Sequence, residues 1–339
     1  MIYSVEDIRH VHLELSSRCN ARCPGCPRNL NGYPYNRGYV EHDMTLLEAQ
    51  HIFQPEFLGQ LTHMTINGNL GDAVMNPDTV PIVRYFLASN PQLAINISTN
   101  GGARDRAFWS ALGRTGVEIF FCLDGLADTH SIYRQNTSFD TVIKNAQTVI
   151  SSGGRAIWKM IQFDHNTHQL AAAEQLSQDL GFERFFLTPG RRSNNYPVYS
   201  ASGELVFTMG QPQYRQSLTQ RIRQLDHPPE RVEIQGQLTG AIACEVQAMR
   251  SVYIDSTGHV YPCCHLGYNP REFNRVENYQ FRDFVERNSA LEYDLATCIE
   301  WFNQVQASWS KKTFAEGRLK ICNDTCGARV PVTRDSYMT

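Results

Sequence analysis

Long apolar runs are missing from this chain of 339 residues. No stretch approaches the roughly 20 apolar residues needed to cross a bilayer, so no membrane span is expected. The opening residues, Met1-Ile2-Tyr3-Ser4-Val5-Glu6-Asp7, lack the basic-then-apolar form of a secretory signal. An excess of charge is lacking as well. With 31 Lys and Arg against 34 Asp and Glu, the net charge is −3, without the basic face of a general nucleic-acid binder. Internal repeats and low-complexity segments are also absent. What is left is an ordinary globular composition, 42% hydrophobic and 19% charged, read as a cytoplasmic protein with no membrane partner. In that compartment disulfides are rare, so the ten cysteines point to metal binding or catalysis.

Three of these cysteines fall within eight residues, Cys19-Asn20-Ala21-Arg22-Cys23-Pro24-Gly25-Cys26. They follow a short alternating run, Val11-His12-Leu13-Glu14-Leu15. Soft thiolates select zinc, copper(I) or iron–sulfur clusters. An iron–sulfur cube is normally held by four cysteines, and here no fourth thiol occurs before Cys122. Three ligands on a cube leave one iron open to another molecule, as a catalytic zinc keeps one position open. The competing reading is a zinc knuckle. That pattern needs a second Cys pair about 12–20 residues on, and none follows Cys26.

Apolar alternation predicts strands over 10–15, 63–67, 94–98, 118–123, 157–163 and 184–187. Helical periodicity predicts helices over 46–53, 79–88, 104–112, 141–151 and 170–180. Thr45-Leu46-Leu47-Glu48 has the form of a capping box, and Gly153-Gly154 and Gly181 stand where helices should stop. Six strand–helix units imply an α/β fold, a partial (β/α)6 TIM-like barrel with a parallel sheet. Each strand runs into a polar or glycine-rich segment: the cysteine loop, Gly68-Asn69-Leu70-Gly71-Asp72, Ser98-Thr99-Asn100-Gly101, Leu123-Asp124-Gly125 and Gln162-Phe163-Asp164-His165-Asn166. In a parallel barrel these segments share the face on which active sites are assembled. Cys122, by alternation, shares a face with Phe120 and Asp124.

The C-x-x-x-C-x-x-C spacing resembles the signature of the radical S-adenosylmethionine (radical SAM) enzymes. The resemblance implies that Cys19, Cys23 and Cys26 hold a [4Fe-4S] cluster whose open iron chelates SAM. It also implies reductive cleavage of SAM to a 5′-deoxyadenosyl radical that takes a hydrogen atom from substrate. Gly25 stands where many members carry an aromatic. Asn69, Gly71 and Asp72 resemble the segment that meets the SAM amino group, with Leu70 and Asp72 departing from its usual residues. Thr99 and Asn100 resemble the segment near the ribose. Asp124 and Arg134 resemble the next one, the arginine offering a planar fork to the SAM carboxylate. Gln162 and Asn166 are candidates to read the adenine edge.

Beyond Pro189-Gly190-Arg191-Arg192 and a second break at Asp226-His227-Pro228-Pro229-Glu230, the cysteines return. Strand-like segments flanking Ser256-Thr257-Gly258 read as a β-hairpin that ends at Cys263. With Cys244, Cys322 and Cys326 this makes four ligands, enough for a closed cube; structural zinc is the alternative. This half resembles the twitch domain, a shortened SPASM-like module, and implies one auxiliary [4Fe-4S] cluster. The division expected is 1–195 radical SAM partial barrel, 196–240 connecting segment, and 241–339 a small α+β hairpin-containing Fe–S domain. The implied activity is a net two-electron oxidation, dehydrogenation or crosslinking, of a peptide or small molecule, with flavodoxin or ferredoxin as electron donor. No peptide-recognition domain is expected ahead of the first strand. A redox-neutral epimerase would instead need a hydrogen-donating thiol, with Cys122, Cys264 and Cys298 as candidates, and a non-catalytic zinc scaffold is the alternative of another class.

Overall fold

The computed structural model describes residues 3–35, 40–188, 196–209, 241–268, 280 and 285–327. Arg191, Arg192, the break at 226–230 and most of the connecting segment lie outside them.

Six parallel strands lie where alternation placed them: β1 His10–Leu13, β4 His63–Ile66, β5 Ala94–Thr99, β6 Glu118–Cys122, β7 Arg155–Ile161 and β8 Arg184–Thr188. Two-residue strands, β2 Asn29–Leu30 and β3 Tyr33–Pro34, form a small ribbon after the cysteine loop. The order β1-β4-β5-β6-β7-β8 follows the sequence, each strand parallel to the next. Between strands run α1 Leu46–Ile52, α2 Pro55–Gln60, α3 Thr79–Ser89, α4 Arg106–Gly113, the single turn α5 His130–Tyr133, α6 Phe139–Ser151 and α7 Leu170–Asp179. The capping box forms: Glu48 N–H donates to Thr45 Oγ1 at 3.2 Å and Thr45 N–H to Glu48 Oε2 at 2.7 Å. Asp105 caps α4 by accepting from Phe108 N–H at 2.9 Å.

The two faces of the sheet differ in chemistry. Val11, Leu13, Met64, Ile66, Ile95, Ile97, Ile119, Phe121, Trp158 and Met160 belong to one continuous apolar core. On α6, Val142, Ala146 and Val149 supply a matching stripe at helical spacing. Residues of opposite parity, His10, His12, Thr65, Phe120, Cys122 and Lys159, are buried outside that core. The inner face is therefore largely polar, as a site-bearing barrel requires.

The predicted hairpin is present, β11 Ser251–Ile254 and β12 Val260–Tyr261, with Gly258 at φ +80°. Asp255 Oδ1 sets the turn by accepting from the Thr257 and His259 N–H groups at 2.8 and 3.2 Å. Its placement was not readable from local pattern. β11 lies parallel to β1, His10 opposite Ser251 and Leu13 opposite Ile254. The hairpin thus extends the barrel sheet to eight strands, β12-β11-β1-β4-β5-β6-β7-β8. A second hairpin, β9 Tyr196–Tyr199 and β10 Leu205–Met209, sits apart from that sheet. Among the described residues no helix is long and apolar enough to cross a membrane.

Candidate functional site

The cysteine loop leaves β1 and is fastened on two sides. Ser17 N–H donates to His42 O at 2.9 Å and Ser16 Oγ to Asp43 Oδ1 at 2.5 Å. On the other side Arg22 N–H donates to Gln135 O at 2.9 Å and Asn136 Nδ2 to Asn20 O at 2.6 Å. Within the loop Cys26 N–H donates to Cys23 O at 2.9 Å. All ten cysteines are free thiols.

N–H donors converge on these sulfurs. Ala21 N–H lies 3.4 Å and Asn100 Nδ2 3.6 Å from Cys19 Sγ, and Arg134 Nη1 lies 3.7 Å from Cys23 Sγ. Burial pushes the Cys23 thiol up to about 11 while Arg134 pulls it down. Burial likewise raises the Cys19 thiol, with Asp72, Cys23 and Cys26 adding to the rise. Iron bound at these sulfurs would reverse that logic, because a coordinating thiol is deprotonated outright. Three mutually close thiols with N–H donors to sulfur fit an iron–sulfur cluster, whose potential such hydrogen bonds tune.

The loops after the next strands close around this point. Gly71 lies against the base of the cysteine loop: a Cβ there would come 1.6 Å from Ser16 O, so only glycine fits. Asp72 N–H donates to Arg18 O at 2.8 Å. The Asp72 carboxyl is buried, which raises its pKa, against hydrogen bonds from the Asn100 N–H at 2.7 Å and Nδ2 at 2.6 Å. Asn69 Nδ2 donates to Cys264 O at 2.8 Å. Thr99 is buried and its Oγ1 accepts from Gly101 N–H at 3.0 Å. Asp124, wholly buried, pairs with Arg134 Nε at 2.5 Å and accepts from Ile161 N–H at 2.6 Å.

Thus Gly71, Asp72, Thr99, Asn100, Asp124 and Arg134 gather about the cysteine loop, while Asn69 reaches instead to the Cys264 carbonyl. Of the two residues expected at the adenine edge, Asn166 is committed elsewhere. Asn166 Nδ2 donates to Ile161 O at 2.9 Å and Asp124 O at 3.2 Å, and its Oδ1 accepts from Phe163 N–H at 2.7 Å. Gln162 Nε2 donates to Thr167 Oγ1 at 3.4 Å.

Two features escaped the sequence reading. The first is an aromatic wall. Tyr133 and Phe163 lie 4.5 Å apart by ring centroid, His165 stacks on Phe163 at 5.3 Å, and Phe207 meets His165 edge-on at 5.7 Å. Tyr133, Phe163 and Phe207 pack in one cluster with all three cysteines of the loop. Aromatic surface missing at Gly25 is thereby present from other elements. The second is Glu14, wholly buried at the end of β1. The signal was available: an acid on the same face as His12 in an otherwise apolar alternation.

The second thiol set is gathered differently. Cys244, Cys263, Cys322 and Cys326 line one pocket together with Val246, Leu266, Val305, Trp309 and Ile321. Ala243 N–H donates to Cys326 O at 2.9 Å, joining the two ends of the set. Among the described residues the Trp309 indole N–H finds no oxygen or nitrogen partner, and it stands close enough to Cys322 to favour the thiolate. A buried donor turned to a thiol in a set of four fits a thiolate-held group. Cys264 does not line this pocket. Cys298 is wholly buried in the apolar core, which pushes its thiol up to about 12. Cys122 is buried too, and Arg134, Lys159, Asp124 and Asp72 all lie near enough to influence its thiol. Among the described residues no three His, Cys, Asp or Glu side chains converge tightly enough for a single metal ion, as a zinc about 2.3 Å from each sulfur would need.

No family model and no curated protein matches the sequence. Solved structures do. SuiB of Streptococcus suis matches with TM-score 0.54 at 12% identity over 87% of this chain and 65% of its own. SuiB bound to S-adenosylmethionine matches with TM-score 0.55 at 13% identity, over 93% and 77%. Native anSMEcpe with bound S-adenosylmethionine matches with TM-score 0.54 at 13% identity, over 89% and 84%. The fold is that of the radical SAM enzymes. Alignment with SuiB as first matched takes in less than two thirds of that protein's length. The first thiol set stands on the loop that leaves the C-terminal end of β1, the face of a parallel sheet on which barrel chemistry is assembled.

Proposed function

We propose that this protein is a radical SAM enzyme. Cys19, Cys23 and Cys26 hold a SAM-binding [4Fe-4S] cluster, and Cys244, Cys263, Cys322 and Cys326 an auxiliary one. When bound and reduced, the first cluster supplies the electron that splits SAM to methionine and a 5′-deoxyadenosyl radical, the abstractor of a substrate hydrogen atom. The chain's own residues position and shield. Asn100 and Arg134 direct N–H groups at the cysteine sulfurs, and Gly71 lets its loop lie directly on the backbone of the cysteine loop. The Tyr133–Phe163 pair walls the loop from water. The observation that carries the proposal is the convergence of strand-end loops from β1, β4, β5 and β6 on three thiols that lack a fourth.

A closed set of four thiols would leave no ligand position for substrate, so a cluster held there would be suited to passing electrons and not to binding substrate. The net reaction is then a two-electron oxidation, dehydrogenation or crosslinking. SuiB has been solved with its precursor peptide SuiA and anSMEcpe with the Cp18Cys peptide, which supports a peptide substrate ahead of a small molecule. Flavodoxin or ferredoxin fits as the electron donor. Epimerisation is the second reading, favoured by the buried Cys122 thiol close to Arg134 and Asp72.

Anaerobic purification should give a brown protein with about eight irons per chain, and reduction with SAM should release 5′-deoxyadenosine. A colourless protein that leaves SAM intact overturns the reading. Solvent-deuterium uptake that disappears in Cys122→Ala would favour epimerisation over oxidation.

A further inference from the structure

Glu14 joins the two halves of the molecule. Its side chain is wholly buried, and Oε1 accepts from the N–H groups of both Leu70 and Gly71 at 2.8 Å. Oε2 accepts from the Tyr253 hydroxyl at 2.7 Å. Leu70 and Gly71 belong to the loop that lies on the base of the cysteine loop. Tyr253 belongs to β11, the hairpin that leads to Cys263. Three donors around one carboxylate make charge-assisted bonds, stronger than neutral ones and costly to break when buried.

Neighbouring contacts reinforce this link. Asn69, next to Leu70, reaches the carbonyl of Cys264 at 2.8 Å, one residue beyond Cys263. Tyr253 is held in orientation by His12, whose ring meets it edge-on at 5.0 Å. β1 and β11 are register-paired along their length. The loop at 69–71 is therefore anchored to the auxiliary hairpin by side chains from both.

We propose that Glu14 is a positioning residue that couples SAM binding at the first thiol set to the auxiliary hairpin through Tyr253. The proposal rests on the functional reading above. Tyr253 meets Oε2 while the 69–71 loop meets Oε1, so removing its hydroxyl reaches that loop through this carboxylate. Coupling of this kind is a free energy shared between sites, and it is reciprocal.

The test is a double-mutant cycle read as the dissociation constant of SAM in anaerobic holoenzyme, with iron content and thermal midpoint measured alongside. Tyr253→Phe should weaken SAM binding about fivefold and Glu14→Gln about tenfold or more, the double variant being no worse than Glu14→Gln alone. Val260→Ala loosens the same hairpin without touching Glu14, and should leave SAM affinity within about twofold of wild type. Additive losses, unchanged affinity in Tyr253→Phe, or an equal loss in Val260→Ala would each overturn the coupling. Failure of the wild-type holoenzyme to bind SAM would instead overturn the functional reading, so the two failures are distinguishable.

Discussion

The two thiol sets make an instructive pair. Cys19, Cys23 and Cys26 stand on one short loop, and polar groups from three other strand ends, Asp72, Asn100 and Arg134, surround them. Cys244, Cys263, Cys322 and Cys326 come from three distant stretches of chain and meet in a largely apolar pocket. Loop-closure entropy grows with the length of chain enclosed. The first set is thus brought together by local structure, while the second exists only once the sheet, the hairpin and the helix Lys320–Cys326 have assembled. Where ligands are gathered by folding, binding free energy becomes folding free energy. On the proposed function, the first site would be the one open to a small molecule and the second the one whose metal would help hold its part of the fold together.

The sharpest way to break that contrast is to remove one thiol from each set. Cys23→Ala should abolish release of 5′-deoxyadenosine, a loss of at least about a thousandfold for a step that depends on the cluster, while the auxiliary iron and the thermal midpoint stay near wild type. Cys322→Ala should do the reverse to stability: iron falls by about half, and the thermal midpoint drops further than in Cys23→Ala. Equal midpoints in the two variants would erase the distinction drawn here.

A smaller effect comes from acid. Burial lowers His10 to about 3, with His12 and His63 adding to the fall, and burial also lowers His12 and His130 to about 4. Their folded values lie below the unfolded value near 6.5. The unfolded chain therefore binds more protons in the window between, and stability declines as pH falls from about 6.5 toward 4. For His12 alone the loss at pH 5.5 is about 1 to 2 kcal/mol. Urea midpoints measured against pH should flatten in His12→Gln. No flattening would mean that this imidazole titrates freely.

The smallest effect sets the baseline for both sites. Thr45→Ala removes an N-cap that touches neither thiol set, two residues beyond the Asp43 that fastens the cysteine loop, and should cost about 1 kcal/mol. Iron content and SAM cleavage should be unchanged, which a chemical-denaturation curve and an iron assay together would check.

Much of this was legible in the amino-acid order, and the parts that were not share a cause. Alternation located all six barrel strands because their two faces meet different surroundings, Ile95 and Ile97 against helices and Asn96 and Ser98 toward the interior. The Thr45–Glu48 box and the Gly258 turn were readable because their chemistry is local. The union of β11 with β1 was not, since a fully buried strand such as Ser251–Ile254 carries no mark of which edge it will join. Glu14 was visible as an oddity, but its partners at Leu70, Gly71 and Tyr253 lie far away in sequence. The Tyr133–Phe163–His165–Phe207 wall escaped for the same reason: its rings come from separate elements.

The position of β1 has a consequence for biosynthesis. One of its edges is satisfied by β4, soon after it leaves the ribosome, but the other waits for Ser251–Ile254. At ordinary elongation rates that interval is on the order of tens of seconds. Throughout it the strand bearing Val11 and Leu13 offers an open row of amides and carbonyls to any passing chain. Until Ser251–Ile254 has been made, that edge of β1 has no strand from its own sheet to pair with.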